Sequence, residues 1–317
     1  MLRHATFRSL RSAHLCSVRA YARATSLGID SSVENNLQTE TNRASKTLQK
    51  FWNDVSVKEC DTHLTVMLDN KPLRTPLGNA LSVSKDRKLL ALLLQNEWSS
   101  MSSLAIKPHS LPITSIVSRC IDLEYTAKPG SDPELVAKIG GDRSVISESL
   151  LRYLDTDTLM CLSPRAEYEG ALRAAQDELY LPVISQVEKF LSRFAQDPVK
   201  LQILDADVHG LKGNLQDKNT KEAALAYLNS LSMWDFAVFE KAVLTTKSFL
   251  CGLLLLHNKS QNPSSDMKVT MEKIAQFATL ETIYQVERWG EVEDTHDVDK
   301  RDVRRNINAA SIVAFKE

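Results

Sequence analysis

Val55-Ser56-Val57-Lys58-Glu59-Cys60-Asp61-Thr62-His63-Leu64-Thr65-Val66-Met67-Leu68 sets two alternating runs on either side of a polar pair, Asp61-Thr62. A period of two puts Val55 and Val57, then Leu64, Val66 and Leu68, on one face of an extended chain, so the stretch reads as a β-hairpin with one face for a core. Turn chemistry follows at Asp69-Asn70-Lys71-Pro72 and at Thr75-Pro76-Leu77-Gly78-Asn79, leaving residues 80–83 as a short third strand. The chain therefore begins its fold with a small antiparallel sheet.

Two helices are predicted to cover that sheet. Residues 86–98 bring Leu89, Leu90, Leu93 and Trp98 to it, and residues 111–125 start with a proline in the first turn and repeat Ile113, Ile116, Val117, Cys120 and Ile121 at helical spacing. Trp98 reads as a core anchor between sheet and helix, where truncation costs roughly 3–5 kcal/mol. A linker candidate spans Ala127-Lys128-Pro129-Gly130-Ser131-Asp132-Pro133. Residues 133–153 are helical with a break at Gly140-Gly141, and 158–162 are extended. Beyond Ser163-Pro164 the pattern is helical at 165–180, 182–194, 221–231, 234–246, 249–257, 267–289 and 298–315, with 201–208 as one further strand candidate. The fold class is α+β: a small antiparallel sheet covered by helices (residues 47–162), followed by a mainly α-helical orthogonal bundle (163–317).

Ahead of the fold, no acidic residue occurs before Asp30, while Arg3, Arg8, Arg11, Arg19 and Arg23 punctuate a Ser- and Ala-rich stretch. That composition reads as a matrix-targeting presequence, since arginines interrupt the apolar run a secretory signal would need. Arg19-Ala20-Tyr21 followed by Ala22 marks the cut after residue 21, and residues 22–46 are a polar, flexible lead-in. Cleavage removes four arginines, taking the formal charge from −1 to −5. A mildly acidic chain without a basic aromatic stripe disfavours nucleic acid. The longest apolar segment, 249–256, falls far short of the roughly 20 residues of a membrane span. Five scattered cysteines form no Cys-x-x-Cys pair, so neither a disulfide framework nor a zinc ribbon is expected.

Catalytic motifs are sparse. Gly140-Gly141-Asp142-Arg143-Ser144 lacks a phosphate-binding lysine and reads as a helix break. The cluster Glu291, Glu293, Asp294, His296, Asp297, Asp299 lacks the central glycine and terminal glutamate of a calcium loop, so it reads as a solvated face with Asp297 capping the final helix. No cofactor or metal is expected. Asp155 and Asp157, two apart at the start of an extended segment, would share a face as acid and base, but aspartates entering a strand are common turn residues. Glu281 with His296 is the other pair that an enzyme reading would use.

The most unusual stretch is Leu280-Glu281-Thr282-Ile283-Tyr284-Gln285-Val286-Glu287-Arg288-Trp289-Gly290-Glu291-Val292-Glu293-Asp294-Thr295-His296-Asp297, read as a helix with carboxylates embedded among large apolar residues. At about 100° per residue Glu281, Gln285 and Arg288 share an arc with Ile274, Phe277, Ala278 and Trp289. Burying a lone carboxylate costs several kcal/mol, so Glu281 needs an internal partner, a proton, or a partner arriving from outside.

This stretch resembles the signature of the mitochondrial assembly chaperones of the F(1) complex assembly factor 2 family. The likeness continues through Phe51-Trp52, Leu68-Asp69-Asn70-Lys71-Pro72-Leu73-Arg74-Thr75-Pro76, Gln95-Asn96-Glu97-Trp98, Ile106-Lys107-Pro108, Leu111-Pro112-Ile113-Thr114 and Tyr153-Leu154-Asp155-Thr156-Asp157-Thr158-Leu159, covering nearly everything from residue 50 onward. The resemblance implies a monomeric chaperone of the mitochondrial matrix, not an enzyme, that binds the free alpha subunit of the ATP synthase F(1) sector and keeps it from aggregating until beta joins. Its partner-binding residues would be Glu281, Gln285, Arg288, Trp289, Glu293 and Asp297. Where relatives often carry a second acidic residue after the first Glu, this chain has Thr282, so a paired carboxylate is not available here.

Overall fold

The computed structural model describes residues 50–101, 110–210, 213–258, 267–292 and 295–316. The presequence, the lead-in and the Ile106-Lys107-Pro108 motif lie outside the described residues. Strands β1 (Val55–Glu59) and β2 (His63–Leu68) form the antiparallel hairpin, with Val55 opposite Leu68 and Glu59 opposite Leu64. The third strand is placed differently from the sequence expectation. β3 (Lys71–Pro72) pairs with the end of β2, β4 (Ser82–Ser84) pairs with its beginning, and Ala80 only bridges Arg74. Asp69 explains the early reversal: it is left-handed (φ 52°), and its Oδ1 accepts the Asn53 and Asp54 N–H groups at 3.0 and 2.9 Å. The 75–79 turn is pinned from outside the sheet, since buried Asp122 accepts from the Thr75 hydroxyl (2.5 Å) and the Asn79 amide (2.8 Å).

Helix α1 (Lys88–Ser99) covers the sheet with Leu90, Ala91, Leu94 and Trp98, while Leu89 faces solvent and Leu93 is half-buried. The buried stripe is thus rotated from the expected one. In a leucine-rich helix every face is apolar, so tertiary hydrogen bonds decide: Gln95 donates to the Val55 carbonyl (2.8 Å), and the Trp98 indole donates to Thr114 (2.8 Å) beside the Trp52 ring. Glu97 accepts the Ile113 and Thr114 N–H groups, at 2.9 and 2.8 Å, at the start of α2 (Pro112–Thr126). Burial pushes its carboxyl above the ordinary range despite those bonds.

Helices α3 (Pro133–Lys138) and α4 (Arg143–Asp155) follow, separated by Gly140 and Gly141 at positive φ. Asp142 caps α4, and Arg143 donates to the Leu228 and Leu231 carbonyls, both at 2.8 Å, so the glycine pair serves a helix junction. Only Cys161–Leu162 of the expected 158–162 strand is extended. This is β5, which pairs in parallel with β6 (Leu204–Asp205), the part of the 201–208 candidate that is a strand. Helix α5 (Ala171–Leu191) passes straight through Pro182, where the sequence predicted two helices. Pro182 sits on the exposed side, and the continuous buried stripe Leu172, Tyr180, Val183, Ile184, Val187 and Leu191 outweighs the ~3 kcal/mol of an interior proline.

The rest is helical: α6 (Ala206–His209), α7 (Lys218–Ser230), α8 (Met233–Thr246), α9 (Phe249–Asn258), α10 (Met271–Trp289) and α11 (His296–Ala314). The architecture is α+β, as the sequence indicates, with helix α8 at its centre: Phe236, Ala237, Val238, Phe239, Ala242 and Val243 are buried on all sides. Gly252 lets α9 approach it closely, because a Cβ there would sit 2.7 Å from a Val243 methyl. Helix α2 packs on α8 and α11, and a buried ion pair joins Arg119 of α2 to Glu240 of α8. Among the described residues, no helix is long and apolar enough to cross a membrane.

Candidate functional site

Helix α10 leaves the core along its own length. Thr270 caps its start, and Ile274, Ala275, Phe277, Thr279 and Leu280 are buried. The Tyr180 hydroxyl donates to the Phe277 carbonyl at 2.8 Å, anchoring this half against α5. From Glu281 to Trp289 no residue is fully buried. The helix ends at Gly290 (φ 86°) and α11 starts at His296, close to the expected helices over 267–289 and 298–315, so the unusual stretch spans the end of one helix and the start of the next.

The arc carrying Glu281, Gln285 and Arg288 therefore runs from core to solvent, and Glu281 is exposed. Its carboxylate accepts from Gln285 Nε2 at 3.0 Å, one helical turn on. Water solvates what remains, which removes the burial penalty that its apolar sequence neighbours suggested. Arg288 stands over two rings, 5.6 Å from that of Tyr168 and 5.8 Å from that of Trp289. Tyr168 lies edge-on to Tyr284 (6.0 Å) and to Trp289 (5.6 Å). Trp289 remains 69% exposed, so these rings form an open aromatic shelf. The exposed carboxylates of Glu281 and Glu167 lie close enough to act on the Tyr168 ring. Desolvation and the charges of Glu281 and Glu167 push the Tyr168 hydroxyl above its usual range, against the opposing pull of Arg288.

Tyr168 was missed in the sequence because 165–180 reads as helix. The structure instead puts Tyr168 (φ 48°), Glu169 (φ 56°) and Gly170 (φ 83°) consecutively in the left-handed region. For each of the two non-glycine residues that geometry costs about 1–2 kcal/mol, so the surroundings must impose it. Arg173, just past the loop, joins its flanks: the nearly buried guanidinium donates to both Asp205 oxygens (3.1 and 2.6 Å), to Asp177 (3.0 Å) and to the Ser163 carbonyl (3.2 Å). The bond to Asp205 holds Arg173 above the ordinary guanidinium range and depresses the Asp205 carboxyl. Asp207 accepts the Arg165 N–H, completing the clamp. A glycine closing Glu-Tyr-Glu-Gly was the one local sign of a break.

Of the other residues singled out in the sequence, Glu293 lies outside the described residues, and Asp297 falls in the first turn of α11. The helix is preceded by Thr295, whose side chain makes no capping bond. The two acid–base pairs do not form. Asp155 ends α4 and binds Lys221 and the Gln216 N–H, each at 2.8 Å. Asp157, wholly buried, accepts the Leu159 and Leu250 N–H groups, both at 2.9 Å. A 3₁₀ turn rather than a strand follows Asp157, so the two carboxylates serve different helix ends. His296 Nδ1 accepts the Val292 N–H and Glu281 is taken by Gln285, which leaves that pair unjoined too. No group of three potential metal-ligating side chains converges among the described residues.

A family model described as ATP12 chaperone protein matches residues 49–188. The mitochondrial protein ATP12 of Saccharomyces cerevisiae is 58% identical over 297 residues, covering 92% of this chain and 91% of its own. The chain belongs to the ATP12 chaperone family. Its counterpart from Schizosaccharomyces pombe, also mitochondrial, is 32% identical over 84% of this chain and 82% of its own. Two bacterial crystal structures share the fold: Atp12 of Paracoccus denitrificans (TM-score 0.59, 21% identity, 85% of this chain and 98% of that one) and a candidate chaperone from Agrobacterium tumefaciens (TM-score 0.62, 22% identity, 89% and 96%). As a member of this family the protein is a chaperone, and its two fungal relatives are mitochondrial proteins.

Proposed function

We propose that the chain binds the unassembled alpha subunit of the F(1) sector in the mitochondrial matrix and shields it until the beta subunit arrives. The observation that carries this reading is the shelf of Tyr168, Tyr284 and Trp289 at the outward end of α10, held open by a clamped, left-handed loop. A free alpha subunit exposes an apolar face meant for beta, and such faces aggregate. A rigid aromatic shelf covers apolar surface at low entropic cost, and its rim of carboxylates keeps the chaperone itself dissolved. The chain's partner-binding residues are Glu281, Gln285, Arg288, Trp289, Glu293 and Asp297. The chaperone acts as a monomer, and release is by exchange, because beta offers the larger obligate interface.

The test is a pull-down from mitochondria lacking the beta subunit. Alpha accumulates on the wild-type chain, whereas Glu281→Lys and Trp289→Ala recover several-fold less alpha with unchanged thermal midpoints. Full recovery of alpha by both folded variants would refute this assignment of the site, and absence of alpha from the wild-type sample would refute the client.

A further inference from the structure

The aromatic shelf carries charge as well as rings. Glu287 and Glu291 lie two residues to either side of Trp289, and Glu167 and Glu169 flank Tyr168 in the chain. All four are exposed, within a run 287–292 that is exposed throughout in the case of the first two. Among the described residues neither these four nor Glu281 forms an ion pair. Against these five carboxylates the segment 281–292 sets one cation, Arg288.

Arg288 shows independently what the rings accept. Its guanidinium lies 5.6 Å from the Tyr168 ring and 5.8 Å from the Trp289 ring, inside the roughly 6 Å of a cation–π contact. Trp289 nevertheless stays 69% exposed, so indole surface is left for a cation from outside.

The unpaired carboxylates decide what kind of guest fits. A purely apolar guest would strip water from those it covers and return nothing, which is costly. A guest that brings a lysine or arginine replaces that water with charge-assisted hydrogen bonds, and the same cation gains from the face of the indole. Charge complementarity therefore selects a basic guest.

We propose that the element of the unassembled alpha subunit received by the shelf carries a lysine or arginine, which settles on the open face of Trp289 near Glu287 and Glu291 while apolar neighbours in the client cover the Tyr168 ring. This deepens the function proposed above and rests on it. Two consequences separate it from shielding of apolar surface alone. Encounter is steered by charge, so it slows as salt shortens the Debye length. Trp289 acts through its ring face as well as its area, so leucine cannot replace it.

Stopped-flow mixing of labelled, purified alpha subunit with the mature chain tests both, at about 0.01 and about 1 M salt, where the Debye length falls from about 30 to about 3 Å. The association rate constant of the parent should drop about ten-fold or more over that range. In Glu287→Gln/Glu291→Gln it should start several-fold lower in dilute salt and respond less to added salt. Trp289→Leu should weaken equilibrium binding about two- to five-fold. Every replaced side chain is exposed, so circular dichroism and thermal midpoints stay at parent values. A parent rate that is the same at both salt concentrations refutes the basic guest, as does an equal salt response in the double variant or parent-like binding by Trp289→Leu. Tighter binding by the double variant also refutes it, because the guest would then be acidic and held by Arg288. If any of these is found while Trp289→Ala still loses alpha, the apolar shelf stands without the cation. If the parent binds no alpha at all, the function proposed above fails.

Discussion

The Arg119–Glu240 pair offers the sharpest test of how the sheet-bearing part is fastened to the helical part. Arg119 Nε and Nη2 meet the two Glu240 oxygens at 2.7 and 2.8 Å, with side chains only 7% and 5% exposed, and Nη1 donates to the Ile139 carbonyl at 2.7 Å. Replacing Glu240 by leucine leaves a guanidinium that cannot shed its proton, buried with the neutral Ile139 carbonyl as its acceptor. Breaking one side of such a pair costs about 3–5 kcal/mol. For a chain of this size that lowers the thermal midpoint by on the order of 10 °C. Arg119→Met should cost less, because a lone carboxylate can take up a proton. The double variant Arg119→Met/Glu240→Leu removes both charges from an apolar site and should return to within about 1–2 kcal/mol of the parent. Urea unfolding of the four proteins, followed by far-UV circular dichroism and tryptophan fluorescence, closes the cycle. Coincident single transitions are expected, because the pair sits between helices that share one core. Singles that lie within about 1 kcal/mol of the parent, or a double variant as unstable as the sum of the singles, would refute the reasoning.

Two further outcomes follow from the core. Gly252→Ala forces a methyl to 2.7 Å from Val243 Cγ2 and 3.0 Å from Phe239 Cε2, so about 1–2 kcal/mol should be lost in urea titrations even after alanine's helix preference of ~1 kcal/mol; a gain in stability would disprove the close approach. Burial pushes the Asp157 carboxyl from 3.8 up to about 6, so the folded state holds this proton more tightly than the unfolded one. Ionisation therefore destabilises the fold by roughly 3 kcal/mol, fully so above pH ~6 and not at all below pH ~4. Stability should fall as pH rises through that window in the parent, and the corresponding slope should be missing in Asp157→Asn; equal slopes would show that Asp157 does not titrate there.

The legible parts of the fold were those in which one local rule had a single solution. Alternation from Val55 to Leu68 permits only a hairpin with its valines and leucines on one face, and the register pairs them that way. Where several solutions coexist, local pattern fails. Lys88-Leu89-Leu90-Ala91-Leu92-Leu93-Leu94 is apolar on every side, so its period cannot choose the buried face; Gln95 and Trp98, bonded to the sheet and to α2, choose it. Pro182 fails for the opposite reason. The rule was clear, but a packed stripe along twenty-one residues outweighs it.

Glu281 stood out because a carboxylate lay on an arc with Ile274 and Phe277, and that oddity does mark the place where α10 leaves the core. Its exposure was not readable, because a helical wheel collapses the axis along which burial changes. Tyr168 was further out of reach, more than a hundred residues from Trp289 and inside a run of good helix formers. The loop that carries it is flanked by a guanidinium, Arg173, bonded to Asp177 on its own helix and to Asp205 on a strand of two residues. Tyr168 itself meets the rings of Tyr284 and Trp289 and the guanidinium of Arg288, all far away in the sequence. A strained loop without a helical alternative would leave some trace in its own residues, whereas this one, helix-forming by composition and held open from outside, leaves little more than Gly170.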